Sequence, residues 1–248
     1  MIQEIWFGDC LELMKNIPDK SVDMILCDLP YGTTACKWDV VINFRELWGA
    51  YERILKDNCI VLLFGSEPFS TIQRMSNFNW FKYDWYWEKT KANGWQHSKN
   101  KPMTKIETIS VFSPNPIGHF SILGSKRMKY NPQDLISIGK KVVKSYWHGE
   151  SIGSRKNQIG KEYESFTGFP SNILKYANIH GGGNLHPTQK PVELCEYLIK
   201  TYTNEGDLIL DNCAGSGSTL VAAKNLNRQF IGIEKDEGYY NICLERLK

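Results

Sequence analysis

The sequence contains no C-x-x-C pair. Its seven cysteines (Cys10, Cys27, Cys36, Cys59, Cys195, Cys213 and Cys243) are odd in number and scattered, which argues against a disulfide framework and against a zinc site. No apolar stretch approaches the roughly 20 residues that a membrane span needs. The opening segment MIQEIWFGDC has no basic n-region ahead of an apolar core, so no secretory signal is expected and the protein is expected in the cytoplasm. Strong net charge is also missing: the balance is +3, too small by itself to imply a polyanionic partner. Neither a full G-x-G-x-x-G nor a P-loop ending in G-K-[ST] occurs, so a nucleoside without a polyphosphate suits the chain better than ATP.

What is present is an ordinary globular composition, 42% hydrophobic and 23% charged over 248 residues, enough for one large α/β domain carrying an insertion. Glu4 to Gly8, Val22 to Cys27 and Cys59 to Phe64 read as strands. Phe44, Leu47, Trp48, Tyr51, Ile54 and Leu55 recur at the spacing of an amphipathic helix. Strand and helix therefore alternate, and runs that are apolar on both faces belong to a parallel sheet covered on both sides. A short helix is expected from Phe69 to Met75, with strands at Trp80 to Trp87 and Ile106 to Phe112.

Periodicity then dissolves from Ser113 to about Asn184, which suggests an irregular insertion. Its charge is one-sided: Lys126, Arg127, Lys129, Lys140, Lys141, Lys144, Arg155, Lys156 and Lys161 stand against Asp134 and Glu150. Regular structure returns after His186-Pro187-Thr188-Gln189-Lys190-Pro191, where Pro191 fits the first turn of a helix through Ile199. Leu208 to Leu210 and Gln229 to Ile233 read as buried strands, and a last helix carries Tyr239, Ile242, Cys243 and Leu247.

Two segments carry chemistry. Asp28-Leu29-Pro30-Tyr31 follows a strand directly, so a carboxylate, a stiff turn and an aromatic face project together, a set suited to a flat amino group. Taken alone, the tetrapeptide could equally be a turn. Near the other end, a strand leads through Asp211 and Ala214-Gly215-Ser216-Gly217-Ser218 into a helix, with Glu234 after the next strand. That is the framework of nucleotide-type cofactor binding, in which glycines admit the ligand and a carboxylate takes the ribose hydroxyls. A plain glycine turn and a nicotinamide dehydrogenase remain open for the loop alone, but neither explains Asp28 to Tyr31.

Together Asp28 to Tyr31, His186 to Pro191 and Asp211 to Thr219 resemble, in that order, the motifs of the β group of amino-group DNA methyltransferases. The resemblance extends to Gly8-Asp9-Cys10 and so spans nearly the whole chain. It implies a Rossmann-like S-adenosylmethionine-dependent methyltransferase fold with a mostly parallel seven-stranded sheet, circularly permuted. The catalytic part would be 1–114, the target recognition region 115–184 and the cofactor-binding part 185–248. In such a sheet the strand ending at Glu234 lies beside the one ending at Asp9, bringing the termini together.

By the same resemblance, Asp9 and Cys10 would border the cofactor's adenine, and Glu234 with Lys235 its ribose. Asp211, Cys213, Ala214, Gly215, Ser216 and Gly217 would border its methionine portion, and Ser218, Thr219 and Asp28 are further expected cofactor-binding residues. His186, Thr188 and Lys190 would lie near the methionine carboxylate, although Lys190 also reads as a solvated lysine at a helix start. Asp28 and the Leu29 carbonyl would accept the two N–H bonds of the target amine, and Tyr31 would stack on the flipped base. The Pro-Cys dipeptide of ring-carbon methyltransferases is absent, and no metal is implied.

Asp at the first position resembles the adenine-N6 members, serine being commoner among cytosine-N4 members. The expected activity is thus site-specific N6-adenine methylation of double-stranded DNA. Cytosine-N4 methylation is the rival, RNA a lesser one, and a DNA-binding module with an inactive cofactor pocket a third. A cognate restriction endonuclease and a homodimer are the further partners left open. Lys126, Arg127, Lys129, Arg155 and Lys156 would meet phosphates, with Arg127, Arg155, Asn157 or Gln158 as base readers. Trp95 is a candidate DNA contact, and the loop Gly32 to Asp39, with Lys37, would close over the base. Two departures from the family stand out: Leu29 where proline is usual, and Asn212-Cys213 where Pro-Phe is usual, which removes an aromatic wall beside the methionine.

Overall fold

The computed structural model describes residues 1–33, 39–118, 123–143, 160, 162–178 and 189–248. These form two compact units, one of residues 1–131 and 172–248, the other of residues 132–171. In the larger unit the strands are β1 (Gln3–Phe7), β2 (Val22–Cys27), β3 (Leu55–Gly65), β4 (Phe81–Asn93), β5 (Thr104–Phe112), β8 (Ile173–Tyr176), β9 (Leu208–Asp211) and β10 (Gln229–Glu234). Its helices are α1 (Cys10–Leu13), α2 (Phe44–Ile54), α3 (Phe69–Ser76), α4 (Val192–Tyr202), α5 (Ser218–Asn225) and α6 (Glu237–Arg246). The smaller unit is an antiparallel ribbon of β6 (Ile136–Val143) and β7 (Glu162–Thr167).

The eight strands of the larger unit run in the order β1-β10-β9-β2-β3-β5-β4-β8. The first five are parallel, β5 is antiparallel to both its neighbours, and β8 runs parallel to β4. The C-terminal strands β10 and β9 thus lie between β1 and β2, and Phe7 pairs with Glu234 as the motif order requires. An eighth strand extends the expected seven. It arises where the sequence reads as irregular: Ile173 to Tyr176 is short and pairs with the protruding half of β4, so only Leu174 is buried.

Alternation along the central strands divides the core in two. On one face Met24, Leu26, Ile60, Leu62, Phe64 and Ile209 pack under Leu194, Leu198 and Ile199 of α4 and Leu220 of α5. On the other, Ile25, Cys27, Val61, Leu63 and Leu210 pack against Leu47, Tyr51 and Ile54 of α2. Each fully buried Leu, Ile or Val contributes roughly 1.5–3 kcal/mol, so two covered faces hold the short parallel strands firmly. Trp85 and Trp87 are buried in the first layer. Gly232 is fixed by this packing, because a Cβ there would meet Leu220 Cδ1 at 2.2 Å.

Pro191 stands one place earlier than the first helical turn: it is the N-cap residue of α4, with extended backbone. Residues 123–131 and 172–178, read as insertion, belong to the larger unit, Met128 and Leu174 being part of its core. At the far end of α4 the buried Tyr202 hydroxyl accepts from Trp85 Nε1 at 2.6 Å and shares a 2.9 Å hydrogen bond with Tyr83. Tyr202→Phe leaves the Trp85 indole N–H unpaired in a dry site, at a cost of about 1–3 kcal/mol. A fall of several degrees in melting temperature is expected in thermal denaturation, and an unchanged value would show that another acceptor serves the indole.

Candidate active site

The parallel strands end on one edge of the sheet, and β9 and β2 are adjacent there although their connections leave in opposite directions. Such a switch point opens a crevice at the carboxyl ends of the strands. A cleft of about 480 Å³ occupies it, lined from the cofactor side by Asp9, Cys10, Cys213 to Ser216, Glu234 and Tyr239, and onward by Asp28, Tyr31, Trp87, Lys89, Glu107 and Lys190. The two motifs from opposite ends of the chain share this one cleft.

The glycine turn is built between β9 and α5. Ala214 N donates to Ile233 O at 2.9 Å and Gly217 N to Ala214 O at 2.7 Å. Gly217 has φ +79°, and a Cβ there would also strike Cys243 Sγ at 2.4 Å, so only glycine fits. Arg246 of α6 braces the turn from Nη1 to Ser216 O at 2.5 Å. Glu234 accepts from Gly215 N at 2.7 Å and Asp236 N at 2.8 Å, one bond to each oxygen. Burial pushes its carboxyl up, against these backbone hydrogen bonds. Ser218 and Thr219, at the start of α5, also line the cleft, and Lys235 is exposed at its margin.

Asp9 caps α1 and points its Oδ1 at Leu11 N (2.9 Å) and Glu12 N (3.4 Å), so much of its hydrogen bonding is spent on its own helix. Cys10, Cys27 and Cys213 meet beneath the turn; burial raises the Cys27 thiol to about 12, and the hydrogen bond to Cys213 leads the causes that raise Cys10 still further. These thiols stay protonated at neutral pH and offer no thiolate nucleophile. Asn212 is buried and accepts from Tyr51 OH at 2.6 Å, which explains how a polar residue is accommodated where proline is usual. The aromatic surface missing at Cys213 has a counterpart in Tyr239, which lines the same end of the cleft.

Asp28 sits in a chain of charges. Tyr31 OH donates to its Oδ1 at 2.7 Å, and Lys190 Nζ donates to its Oδ2 at 2.5 Å. Lys190 Nζ also lies 2.8 Å from Glu107 Oε1, and Glu107 Oε2 lies 2.7 Å from Lys89 Nζ. Burial pushes the Asp28 carboxyl up and the Glu107 charge adds to this, while Lys190 and Tyr31 oppose it. Burial would also raise Glu107, but Lys190 and Lys89 outweigh it and hold that carboxyl below its ordinary value. Lys190 is therefore no solvated lysine: it is 8% exposed and lies over the Phe64 ring at 5.0 Å. Its two carboxylate partners are Asp28 and Glu107, a different setting from the cofactor carboxylate that the resemblance implies.

Tyr31 stacks on Phe69 with centroids 4.7 Å apart, which fixes the ring plane. Leu29, within the tetrapeptide, is buried. The following loop is tied at its start, Asp39 accepting from Gly32 N at 2.8 Å and Thr33 N at 2.9 Å. Lys37, Arg155, Lys156, Asn157, Gln158, His186 and Thr188 lie outside the described residues. Trp95 is 75% exposed at the tip joining β4 and β5. Lys126 is exposed and Arg127 half-buried, whereas Lys129 is paired with Asp207 at 2.8 Å, so its charge is already balanced without a phosphate. Among the described residues no group of three His, Cys, Asp or Glu could hold a metal ion, and no helix is long and apolar enough to cross a membrane.

Glu107 and Lys89 are site residues that sequence reasoning missed. The available signal is a single charged residue on the buried side of an otherwise apolar strand, Glu107 standing opposite Trp87.

The fold and cleft define an α/β protein with a mostly parallel sheet and one cleft at the carboxyl ends of its strands, shared by the glycine turn and the Asp28 tetrapeptide. The sequence profile described as DNA methylase, N6_N4_Mtase, matches residues 22–245, and the chain belongs to that family. Type II methyltransferase M.HindIII of Haemophilus influenzae (strain ATCC 51907 / DSM 11121 / KW20 / Rd) is 26% identical over 316 residues, covering 100% of this chain and 96% of that protein. Among solved structures, the M1.HpyAVI–SAM complex has a TM-score of 0.61 at 24% identity, covering 100% of both chains. PvuII DNA methyltransferase (cytosine-N4-specific) has a TM-score of 0.65 at 17% identity, covering 98% of this chain and 86% of its own. At these identities the two structures show a shared fold.

Asp211 yields a test of the cleft's electrostatics. Burial raises its carboxyl from 3.8 to about 7, against hydrogen bonds from Thr219, the Cys213 backbone and Cys27. The folded protein thus keeps a proton that the unfolded chain releases, and stability is lost as pH rises from about 4 to about 7. Asp211→Asn cannot ionise. Its melting temperature relative to the parent should be more favourable at pH 8 than at pH 4, and a pH-independent difference would refute the buried, proton-retaining state.

Proposed function

We propose that this protein transfers a methyl group from S-adenosylmethionine to the exocyclic N6 of adenine in double-stranded DNA, acting directly on a flipped base. The observation that carries the reading is Asp28, a carboxylate lining the same cleft as the glycine turn, with the Tyr31 hydroxyl hydrogen-bonded to it. Asp at this position resembles the adenine-N6 members of the family.

The residues present fit the cofactor. Glu234 is engaged by the backbone N–H groups of Gly215, Asp236 and Lys235, and its carboxylate, which has about four lone-pair sites, can still accept from a ribose hydroxyl. Asp211, a buried carboxyl with a raised pKa, gains from a cationic ligand, and the cofactor carries both a sulfonium and an ammonium. Gly215 and Ser216 line the cleft and Tyr239 adds an aromatic surface, whereas Gly217, expected at the cofactor, is not part of the lining and is glycine because the turn packs on Cys243. When bound, S-adenosylmethionine supplies an electrophilic methyl group carried on sulfur.

The protein's task is to make a poor nucleophile attack. The lone pair of an aromatic amine is delocalised into its ring. Asp28 accepting one N–H and the Leu29 carbonyl the other draws the nitrogen toward tetrahedral geometry and frees that pair. Tyr31, backed by Phe69, offers its open face to the base. The surplus proton then sits on a nitrogen already hydrogen-bonded to Asp28, which gives it a way out. Neutral cleft thiols accord with direct transfer. Lys126, Arg127 and the exposed Trp95, with the basic insertion, are proposed to meet the DNA.

Asp28→Ala is expected to lower methyl transfer by about 10²–10⁴-fold or more while cofactor binding stays largely intact; retained turnover would reject its role. Glu234→Ala should weaken cofactor binding about tenfold or more in titration calorimetry. The modified nucleoside decides between targets: mass analysis of digested product DNA should give N6-methyladenine, and N4-methylcytosine alone would assign the rival specificity.

A further inference from the structure

The charge chain beside Asp28 has a function beyond holding the fold. We propose that Lys190 and Glu107 are positioning residues for methyl transfer: Lys190 fixes Asp28 through Oδ2, Glu107 fixes Lys190, and the aspartate is thereby aimed at the target amine. This inference rests on the role proposed for Asp28.

The geometry carries it. Asp28 is gripped at both oxygens, by Lys190 Nζ at 2.5 Å and by Tyr31 OH at 2.7 Å. A carboxylate held at two points cannot rotate freely, and each oxygen retains a lone pair for a further donor. Lys190 is itself held from the other side by Glu107 at 2.8 Å, and Glu107 by Lys89 at 2.7 Å. The row alternates in sign, Asp28, Lys190, Glu107, Lys89, and two negative charges face two positive ones. Glu107 and Lys89 belong to neighbouring antiparallel strands, which gives the row a rigid base. The cleft also reaches every member of the row, so the arrangement touches the site directly.

The same row sets when Asp28 is ionised. The groups facing it are Tyr31 from its own loop, Lys190 from the segment before α4, Cys195 within α4, Glu107 from β5, Asp211 from β9 and Cys27 beside it in β2. Lys89 of β4 acts through Glu107. Burial raises Asp28; of its two strongest charged neighbours Lys190 lowers it and Glu107 raises it. Substitutions at these two positions therefore move Asp28 in opposite directions. A bystander moves the midpoints by its charge alone and leaves the plateau of kcat/KM above the acid limb near the parent, whereas a positioning residue lowers that plateau as well; a cofactor-carboxylate role for Lys190 weakens cofactor binding.

The test titrates the Asp28 side-chain carboxyl by 13C NMR in the full chain, its resonance identified by its loss in Asp28→Asn. Lys190→Met should raise the midpoint by about one pH unit or more, Glu107→Gln should lower it, and the double variant should fall between them. Lys190→Arg should stay near the parent. The acid limb of kcat/KM for DNA at saturating cofactor should follow the same order. If Lys190→Met does not fold, Glu107→Gln and the charge-balanced double variant decide the sign. Unmoved midpoints, two shifts in the same direction, or a plateau that stays near the parent overturn the inference. The readouts separate it from the functional reading: opposite shifts and a lowered plateau with no methylated adenine leave the clamp standing and remove the reading, whereas methylated adenine with unmoved midpoints does the reverse.

Discussion

The pairing of β9 with β2 is the contact on which the site depends. Met24 and Ile25 take Ile209 and Leu210 as partners across a parallel seam, and Leu208 N donates to Asp23 Oδ2 at 3.0 Å. Asp28 follows one of these strands and Asp211 ends the other. Neither motif makes a cleft alone, and their separation is set by strand spacing rather than by any loop. The rest of the site is arranged about this seam: β10 brings Glu234 to one side, and β3 and β5 bring Phe64 and Glu107 to the other.

Acidic groups are concentrated where the sheet ends, and the structure handles them in three ways. Glu234 is met by backbone N–H groups, Asp211 is left largely desolvated and holds its proton, and Asp28 is matched to a lysine. The differences follow from position. Glu234 precedes a turn whose N–H groups point back at it, Asp211 is nearly buried where β9 meets the cleft, and Asp28 opens toward strands that carry Lys89 and Glu107. Carboxylates that look alike in sequence thus meet different partners, although burial raises all three.

Much of this was readable beforehand, for physical reasons. β2, β3 and β9 are buried on both faces, so continuous apolar runs mark them, and α2 is amphipathic enough for its spacing to show. The strands that escaped notice lack those signals: β8 has four residues with only Leu174 buried, and β6 is exposed throughout. The outer half of β4 runs on past Trp87 because β8 pairs with it as far as Lys89 and β5 again at Asn93, which no local pattern announces. At the site, Asp28, Glu234 and the glycine turn were identified because each motif is contiguous. Glu107 and Lys89 were not, since their meaning comes from Lys190, a residue far along the chain that joins them only in the folded state. Lys190 also reads as a solvated lysine at a helix start, because nothing local marks its burial.

The strand order has a consequence for how the chain acquires its shape during synthesis. β1 and β2 are made early but are not neighbours; the two strands that fill the gap between them, β9 and β10, are made last. Until they arrive, the first half presents two unfilled strand edges, one beside β1 and one beside β2. Long-range parallel pairing of this kind is slow, and open edges are where nascent chains stick to one another. Asp28 therefore leaves the ribosome well before the sheet around it can close, and β9 and β10 act as a wedge that completes the sheet from within.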